Sequence, residues 1–318
     1  MIRVGVAGWD YPDWAGIVYP SPLPRRFDRL AFLADLFDVI EINVTFYRQP
    51  ETRATRSWAA RVASRKSFRF TAKLVHTLTH GGLLSGTPAP PPAGDLDLGV
   101  LRAEADRYRD GIEPLLREGR LGAVLMQFPQ SFHDVPAGRR RLEALAGILR
   151  GLPLVAEVRH ASWNHDDALR FLASLGVGFC NVDQPRLGST LPPTGHVTAP
   201  PAYIRLHGRN AENWFRPRDA EGAARGVPSG ALRYDYLYTA EELRPWVERA
   251  GRLAERAEEV FIIANNHYRG QAAANALMLR SALERRRVRA PADLAAAYPG
   301  LAAVAEPARG RPVQRRLF

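Results

Sequence analysis

Short apolar strands alternate with amphipathic helices along the chain, and this alternation predicts an α/β fold with a single closed, parallel, eight-stranded (β/α)8 barrel of the TIM type. About eight such units fit into the chain, and no run of consecutive hairpins interrupts them. The first strand lacks the glycine pattern of a dinucleotide-binding turn, since Gly5, Gly8 and Gly16 have the wrong spacing. An open doubly wound sheet is therefore the weaker prediction.

The strands are recognised as short apolar runs that end in polar, glycine-containing or proline-containing loops. We assign them, in chain order, to residues 3–7, 39–43, 68–73, 123–127, 154–159, 178–183, 202–206 and 260–265. Polar residues inside the later runs are unusual, because a charged group in a buried strand needs a partner or a function.

Helices are predicted in the connections, where apolar residues recur three and four positions apart. Gly176 follows one helix as a typical C-terminal residue, and Thr239 with Glu242 has the form of a capping box at the start of another. The helices are assigned to residues 28–37, 53–63, 103–116, 139–149, 166–175, the segment that begins at Thr239, and 271–287. The proline-rich residues 88–92 predict a stiff, exposed loop. Residues 1–290 then form the barrel domain, and 291–318 an extension rich in alanine, proline and arginine.

The composition is that of an ordinary globular protein, with 46% hydrophobic residues and a net charge of +11. No apolar run is long enough for a membrane span and no signal peptide is evident, so a cytoplasmic location is expected. The single Cys180 excludes an internal disulfide. Lys66 and Lys73 are the two lysines among 44 basic residues, and nine arginines lie from Arg280 onward, so the C-terminal tail is the most basic part.

Polar side chains of the strands share one parity and lie near the C-terminal strand ends. In a barrel strand, side chains point alternately to the helices and to the barrel axis. Ile40 and Ile42 have the apolar, helix-facing parity, as do Cys180 and Val182. The opposite parity carries Glu41, Asn43, Thr71, Lys73, Gln127, Glu157, Arg159, Asn181, Asp183, Tyr203, Arg205, His207 and Asn265. These groups are predicted to converge at the C-terminal mouth, where barrels of this class build active sites.

A series of short motifs, taken in chain order, resembles the motifs of a known family. The motifs are Gly8-Trp9 with Tyr11-Pro12, Glu41-Ile42-Asn43 with Tyr47-Arg48, Lys73 with Thr79-His80, Gln127-Phe128-Pro129, Glu157-Val158-Arg159-His160 with Trp163, Arg205-Leu206-His207-Gly208, and Asn265-Asn266 with Gly270. Over residues 3–282 the chain resembles the YecE-like proteins, the domain of unknown function numbered seventy-two. The resemblance implies a TIM-type barrel and supplies no settled activity.

Glu157, Lys73 and Glu41 are the candidate catalytic residues. Glu157 is either a general acid or base or the partner of Lys73 or Arg205 in a buried ion pair. Glu41 either takes part in the chemistry or supports a neighbouring group. Lys73 is a lysine in a chain whose basic residues are nearly all arginine. This suggests a titratable amine suited to proton transfer, Schiff-base chemistry or phosphate contact.

The remaining candidates are predicted to bind substrate. They are Trp9, Tyr11, Asn43, Tyr47, Gln127, Arg159, His160, Asp183, Arg205, His207, Asn265 and Asn266. Trp9 and Tyr11 either stack on a sugar or base or plug the mouth, and the loops after the seventh and eighth strands are where barrels commonly bind phosphate. No cofactor is predicted. His160, Asp183 and His207 with Glu157 offer ligands for a divalent metal but lack a tight ligand spacing.

These features predict an enzyme that uses acid/base groups on an anionic, phosphate-bearing substrate, a nucleotide or nucleic acid, with an association with DNA repair. A carbohydrate-directed hydrolase with paired carboxylates is the alternative within the enzyme class. A non-catalytic ligand- or nucleic-acid-binding protein is the alternative outside it. A partner protein is suggested by the terminal residues, because Gln314, Leu317 and Phe318 resemble the short peptide by which bacterial replication and repair proteins bind the sliding clamp.

Overall fold

The computed structural model describes residues 1–80, 97–214 and 231–307. Eight parallel strands form a closed barrel in chain order, and the last strand pairs with the first, from Ile2 opposite Val260 to Val6 opposite Ala264. The strands are β1 (Ile2–Ala7), β2 (Val39–Ile42), β3 (Arg69–Lys73), β4 (Leu121–Gln127), β5 (Leu154–Glu157), β6 (Gly178–Asp183), β7 (Ala202–Leu206) and β8 (Val260–Ala264). The predicted single (β/α)8 barrel is confirmed.

Helices connect the strands and cover the outside of the barrel. They are α1 (Arg29–Ala34), α2 (Val44–Tyr47), α3 (Thr52–Arg61), α4 (His76–Thr79), α5 (Leu98–Arg117), α6 (Pro136–Ile148), α7 (Asp166–Ser174), α8 (Ala240–Ala254), α9 (Gln271–Glu284), α10 (Ala292–Ala297) and α11 (Pro299–Ala302). The predicted capping box begins α8, because the Thr239 hydroxyl accepts from the backbone N–H of Glu242 and the Glu242 carboxylate accepts from that of Thr239. Gly176, with a φ of 67°, ends the turn after α7 as predicted.

Two short helices that the sequence pattern did not predict begin directly after barrel strands. Helix α2 follows β2 and α4 follows β3, and each has one turn, which is too short to show helical periodicity. They place Phe46 and His76 beside the C-terminal end of the barrel. The predicted proline-rich loop 88–92 lies outside the described residues.

Both faces of the barrel strands are buried. In β2, β5, β6, β7 and β8 every residue is buried, because one face packs against helices and the other fills the barrel interior. Apolar character therefore does not tell which face of a strand a residue occupies. This matters for the assignment of the inward-facing residues of β6.

The described part of the C-terminal extension packs on the barrel. Strand β9 (Val288–Ala290) pairs in parallel with β10 (Ala305–Pro307), and α10 and α11 lie between them in the chain. Leu294 and Leu301 are fully buried, and the Tyr298 hydroxyl donates to the backbone oxygen of Arg269, 2.6 Å away. Within residues 1–80, 97–214 and 231–307, no helix combines the length and apolar character needed to cross a bilayer.

Candidate active site

The strand register brings the predicted polar residues of neighbouring strands together on the inner wall. Glu41 of β2 stands opposite Thr71 of β3, and Gln127 of β4 stands opposite Glu157 of β5. Opposed residues of parallel strands project to the same face, so these side chains share the barrel interior. Arg205 of β7 reaches into the same space from the other side of the barrel and contacts both glutamates.

Arg205 holds the two buried carboxylates in one arrangement that we call the ionic centre, consisting of Glu41, Glu157 and Arg205. Its Nη2 donates to Glu41 Oε1 at 2.6 Å, and its Nη1 donates to Glu157 Oε2 and to Gln127 Oε1, the latter at 3.2 Å. All three side chains of the ionic centre have zero solvent exposure. Because an unpaired buried charge is very costly, the three groups depend on one another.

Glu157 is ionised at neutral pH. Burial alone would raise the pKa of its carboxyl group, but Arg205, His207 and Arg159 together lower the pKa well below its usual value. The Arg159 guanidinium contributes directly, since Nε and Nη2 both donate to Glu157 Oε1, at 2.9 and 2.7 Å. Glu157 therefore acts as a fixed negative charge and is not a proton donor at neutral pH.

His207 is a neutral imidazole beside that carboxylate. Burial, reinforced by the Arg205 charge, lowers the pKa of His207 to about 3 although Glu157 acts in the opposite direction. The Asn265 amide nitrogen is 2.9 Å from His207 Nδ1, and an amide nitrogen can only donate. The ring proton is thus on Nε2, which lies 3.3 Å from Glu157 Oε1. Asn265 consequently orients His207 towards the ionic centre.

Glu41 is supported on its second oxygen by a tyrosine. The Tyr203 hydroxyl donates to Glu41 Oε2 at 2.9 Å and also forms a 2.7 Å hydrogen bond with the Thr71 hydroxyl. Both carboxylate oxygens of Glu41 therefore have donors, Arg205 on one and Tyr203 on the other.

Lys73, the last residue of β3, lies at the boundary between the ionic centre and the solvent. The residue is 8% exposed, its Nζ is 4.0 Å from Glu41 Oε1, and the amine lies 5.6 Å from the centroid of the Phe46 ring. Burial, and then the Arg205 charge, lower the pKa of Lys73 to about 7. Among the described residues, none forms a hydrogen bond with Nζ. A large fraction of this amine is therefore neutral at physiological pH.

The prediction that Asp183 and Asn181 face the barrel axis is wrong. Strand β6 places Cys180 opposite Tyr203, so Cys180 and Val182 point inward and Asp183 points outward. The Asp183 carboxylate accepts from Trp246 Nε1 of helix α8 at 2.5 Å and from the Arg209 guanidinium at 2.7 and 2.8 Å. The physical reason is that both faces of β6 are buried, so its apolar residues do not mark the helix-facing side.

Aromatic side chains of the loop after β1 pack together and against His267, which follows β8. Trp14 is fully buried and donates from Nε1 to the backbone oxygen of His267 at 2.7 Å. Tyr11 stacks on the His267 ring with centroids 4.5 Å apart, and its hydroxyl donates to the backbone oxygen of Ala7. Trp9 is half-buried against Trp58, with ring centroids 5.5 Å apart. Asn43 Nδ2 donates to the Tyr11 hydroxyl at 3.2 Å.

Three other predicted binding residues have different environments. Tyr47 is 59% exposed and can meet a ligand from solution. Asn266 is wholly buried, where its Nδ2 donates to the backbone oxygen of Tyr236 and to Asn275 Oδ1, so the predicted phosphate loop is held by protein groups. His160 stacks on His133, with ring centroids 3.8 Å apart, and accepts the backbone N–H of Ser162.

The metal ligands suggested by the sequence are not assembled. Asp183 points to the outer helices and His160 caps a turn, whereas His207 and Glu157 belong to the interior. In the part of the chain that the structure describes, no group of three or more histidine, cysteine, aspartate or glutamate side chains is arranged to hold a metal ion.

Sequence reasoning missed three residues that border the same space. Trp214 lies 5.8 Å from the Arg159 guanidinium and 6.0 Å from the His207 ring, and Tyr234 lies 4.7 Å from the His267 ring. His267 follows Asn265 by two positions, so the strand parity extended past β8 would have found it. Trp214 lies in the loop after β7 and Tyr234 ends a single 3-10 turn, and neither segment is long enough to show a periodic signal.

Fold and site together define a (β/α)8-barrel protein with a buried ionic centre and a low-pKa lysine at the C-terminal mouth. The chain belongs to the family described as "Protein of unknown function DUF72", whose model matches residues 3–298.

Relatives from three bacteria illustrate the family. The UPF0759 protein YunF of Bacillus subtilis is 24% identical over 290 residues, which cover 89% of this chain and 95% of that protein. The crystal structure of a DUF72 family protein from Thermotoga maritima is 34% identical with a TM-score of 0.74, covering 89% of this chain and 99% of that one. A DUF72 family protein from Enterococcus faecalis, 24% identical over 89% of this chain and 96% of its own, has a TM-score of 0.72 and shares the fold.

Proposed function

We propose that this protein is an enzyme that performs acid/base chemistry on an anionic, phosphate-bearing substrate, with Lys73 as the group that transfers the proton. The observation that carries the proposal is the position of Lys73, whose pKa of about 7 is set by burial and by Arg205 at the edge of the ionic centre. A general acid or base is most effective when its pKa lies near the working pH.

The charges of the site support an anionic substrate. Glu41 and Glu157 are balanced by Arg205 and Arg159, and His207 is neutral, so a protonated Lys73 adds one uncompensated positive charge. The Arg159 side chain is 15% exposed, and Nε and Nη2 are the atoms it uses to hold Glu157. Among the described residues none accepts a hydrogen bond from Nη1, and guanidinium groups suit phosphate oxygens well.

Within this proposal, Glu157 and Glu41 act through Lys73. Glu157 and Glu41 both raise the pKa of Lys73 against the larger effects of burial and Arg205. The two carboxylates thus tune the amine. A carbohydrate-directed hydrolase has weaker support, because it needs a carboxyl group that is protonated at neutral pH, and the pKa of Glu157 is well below its usual value.

Nucleotides and nucleic acids are the proposed substrates within the phosphate-bearing class. The net charge of +11 and the aromatic rings at the mouth support this choice, because a positive field attracts phosphates and flat rings stack on bases. An association with repair and the sliding clamp depends on Gln314, Leu317 and Phe318, which lie outside the described residues.

Competitive acetylation of the intact protein tests the proposal. Acetic anhydride reacts with neutral amines, and Lys66, exposed and the one other lysine of the chain, is an internal reference. We expect the reactivity of Lys73 to titrate with a midpoint of about 7. Inorganic phosphate should raise that midpoint, because a bound anion stabilises the ammonium form, and should leave Lys66 unchanged. A midpoint near the ordinary ~10.4 without a phosphate effect would contradict the proposal.

A further inference from the structure

We infer that Lys73 forms an imine with the carbonyl carbon of its substrate, which makes the substrate an anionic aldehyde or ketone that carries a phosphate group. The inference rests on the proposed function, because it uses the same amine and the same anion-binding arginine. It adds a covalent step and narrows the substrate to carbonyl compounds.

The Lys73 amine forms a loose ion pair with the carboxylate nearest to it. Nζ is 4.0 Å from Glu41 Oε1, beyond hydrogen-bonding distance, whereas Arg205 and Tyr203 donate to the two oxygens of Glu41 at 2.6 and 2.9 Å. A lysine that served only to balance a buried carboxylate would form a close ion pair with it. The lone pair of the neutral amine is therefore available to an electrophile that enters the mouth.

The backbone of Lys73 is fixed, which directs the side chain. The carbonyl oxygen of Lys73 accepts from the Thr45 hydroxyl at 2.7 Å and from the Tyr108 hydroxyl at 3.0 Å. Thr45 is 1% exposed and Tyr108 is fully buried, so both donors are part of the packed structure. With the Phe46 ring near the amine, this support holds the nucleophile in place before a substrate binds.

The neighbouring charges suit an imine and its phosphate group. When the amine adds to the carbonyl carbon and the adduct dehydrates, a C=N bond replaces the C=O bond. The two amine hydrogens leave with the carbonyl oxygen as one water molecule, so the step needs no oxidant or reductant. The imine nitrogen then takes one proton from water, and Glu41 and Glu157 stabilise the positive charge that results. Arg159 holds Glu157 through Nε and Nη2, and its Nη1 can donate a hydrogen bond to the phosphate group of the same substrate.

Reductive trapping on the full chain tests the imine. The protein is incubated with glycolaldehyde phosphate and cyanoborohydride, digested, and analysed by mass spectrometry for adducts at Lys73 and Lys66. We expect Lys73 to react at least about tenfold faster than Lys66 at pH 7, since an ordinary lysine amine, with a pKa near ~10.4, is almost entirely protonated there. Unphosphorylated glycolaldehyde is the matched probe and should react with Lys73 several times more slowly, because it lacks the group that Arg159 holds.

Variants identify the groups responsible. Lys73→Arg keeps the positive charge and should yield no adduct at position 73, and Arg159→Gln should remove the preference for the phosphorylated probe without affecting Lys66. Equal reaction of Lys66 and Lys73 would overturn the imine. If phosphate still protected Lys73 from acetic anhydride in that case, the proposed function would stand without the imine. If Lys73 formed no adduct and phosphate did not protect it from acetic anhydride, both the imine and the proposed function would be overturned.

Discussion

Two arginine–carboxylate clusters involve residues near the C-terminal ends of barrel strands, one inside the barrel and one outside. The inner one is the ionic centre, in which Arg205 bridges Glu41 and Glu157 with no exposure to solvent. The outer cluster, consisting of Asp183, Arg209 and Trp246, joins β6 to the loop after β7 and to helix α8. Each cluster is built on an arginine paired with a buried carboxylate, but their surroundings differ.

The difference shows which buried charges have consequences for chemistry. In the outer cluster Asp183 is saturated by Arg209 and Trp246, and Arg209 also binds Glu242, so its groups brace the loop. In the ionic centre a titratable amine, Lys73, lies at the solvent boundary, and the charges of Arg205 and both glutamates act on it. A buried ion pair becomes a functional candidate when it tunes a group that a ligand can reach.

The largest expected effect is that of Arg205→Met on stability. Removing the guanidinium leaves two buried carboxylates without their shared partner, so we expect a loss of about 3–5 kcal/mol in the free energy of unfolding. Urea denaturation at neutral pH measures it. Arg209→Met is the matched outer variant and should cost about 1–3 kcal/mol, because the arginine is partly exposed and Trp246 still binds Asp183. Equal losses of unfolding free energy in the two variants would show that the two clusters contribute equally to stability.

A smaller effect of opposite sign is expected for Lys73→Met, which should stabilise the protein by roughly 1–3 kcal/mol at neutral pH. The pKa of Lys73 is about 7 in the folded protein and ordinarily ~10.4 in an unfolded chain, so the unfolded state binds more protons between these values. The loss of unfolding free energy that the buried Lys73 causes is therefore largest below pH ~7 and disappears above pH ~10.4. Thermal or urea unfolding across this pH range should show that the stability difference between Lys73→Met and the unchanged protein shrinks as the pH rises. Lys66→Met is the control, and its stability difference should not depend on pH in this range.

The smallest expected effect concerns the titration of Lys73 in two isosteric variants. Glu157→Gln removes a charge that raises the pKa of Lys73, so the acetylation midpoint should fall by about half a unit, a roughly threefold change in reactivity below the midpoint. Asp183→Asn should leave that midpoint unchanged and cost roughly 1–2 kcal/mol of stability. A shift with Asp183→Asn would mean that the clusters are coupled.

Glu157→Gln also separates an enzyme from a non-catalytic binding protein. In an enzyme this variant should lose function in cells even at a temperature where circular dichroism shows that it is folded. In a protein whose polar interior is only structural, the variant should lose stability without a change in phenotype at permissive temperature.

Much of the interior was predictable from strand parity. The positions of Glu41, Thr71, Lys73, Glu157 and Arg205 follow from the alternation of side chains in strands whose ends are polar. Strand β6 was assigned to the wrong face because it contains small apolar residues on the inside and polar residues that bind loops and α8 on the outside. In a barrel covered by helices, the two faces of a strand are equally dry, and composition does not separate them.

The amino-acid sequence by itself determined the eightfold alternation, the closed barrel that it implies, and the set of charged side chains at the strand ends. The tertiary structure alone decided that one guanidinium from β7 would bridge carboxylates from β2 and β5, because that contact joins residues 164 and 48 positions apart. It also decided the pKa of Lys73, since burial and the proximity of Arg205 exist only after the strands close into a barrel.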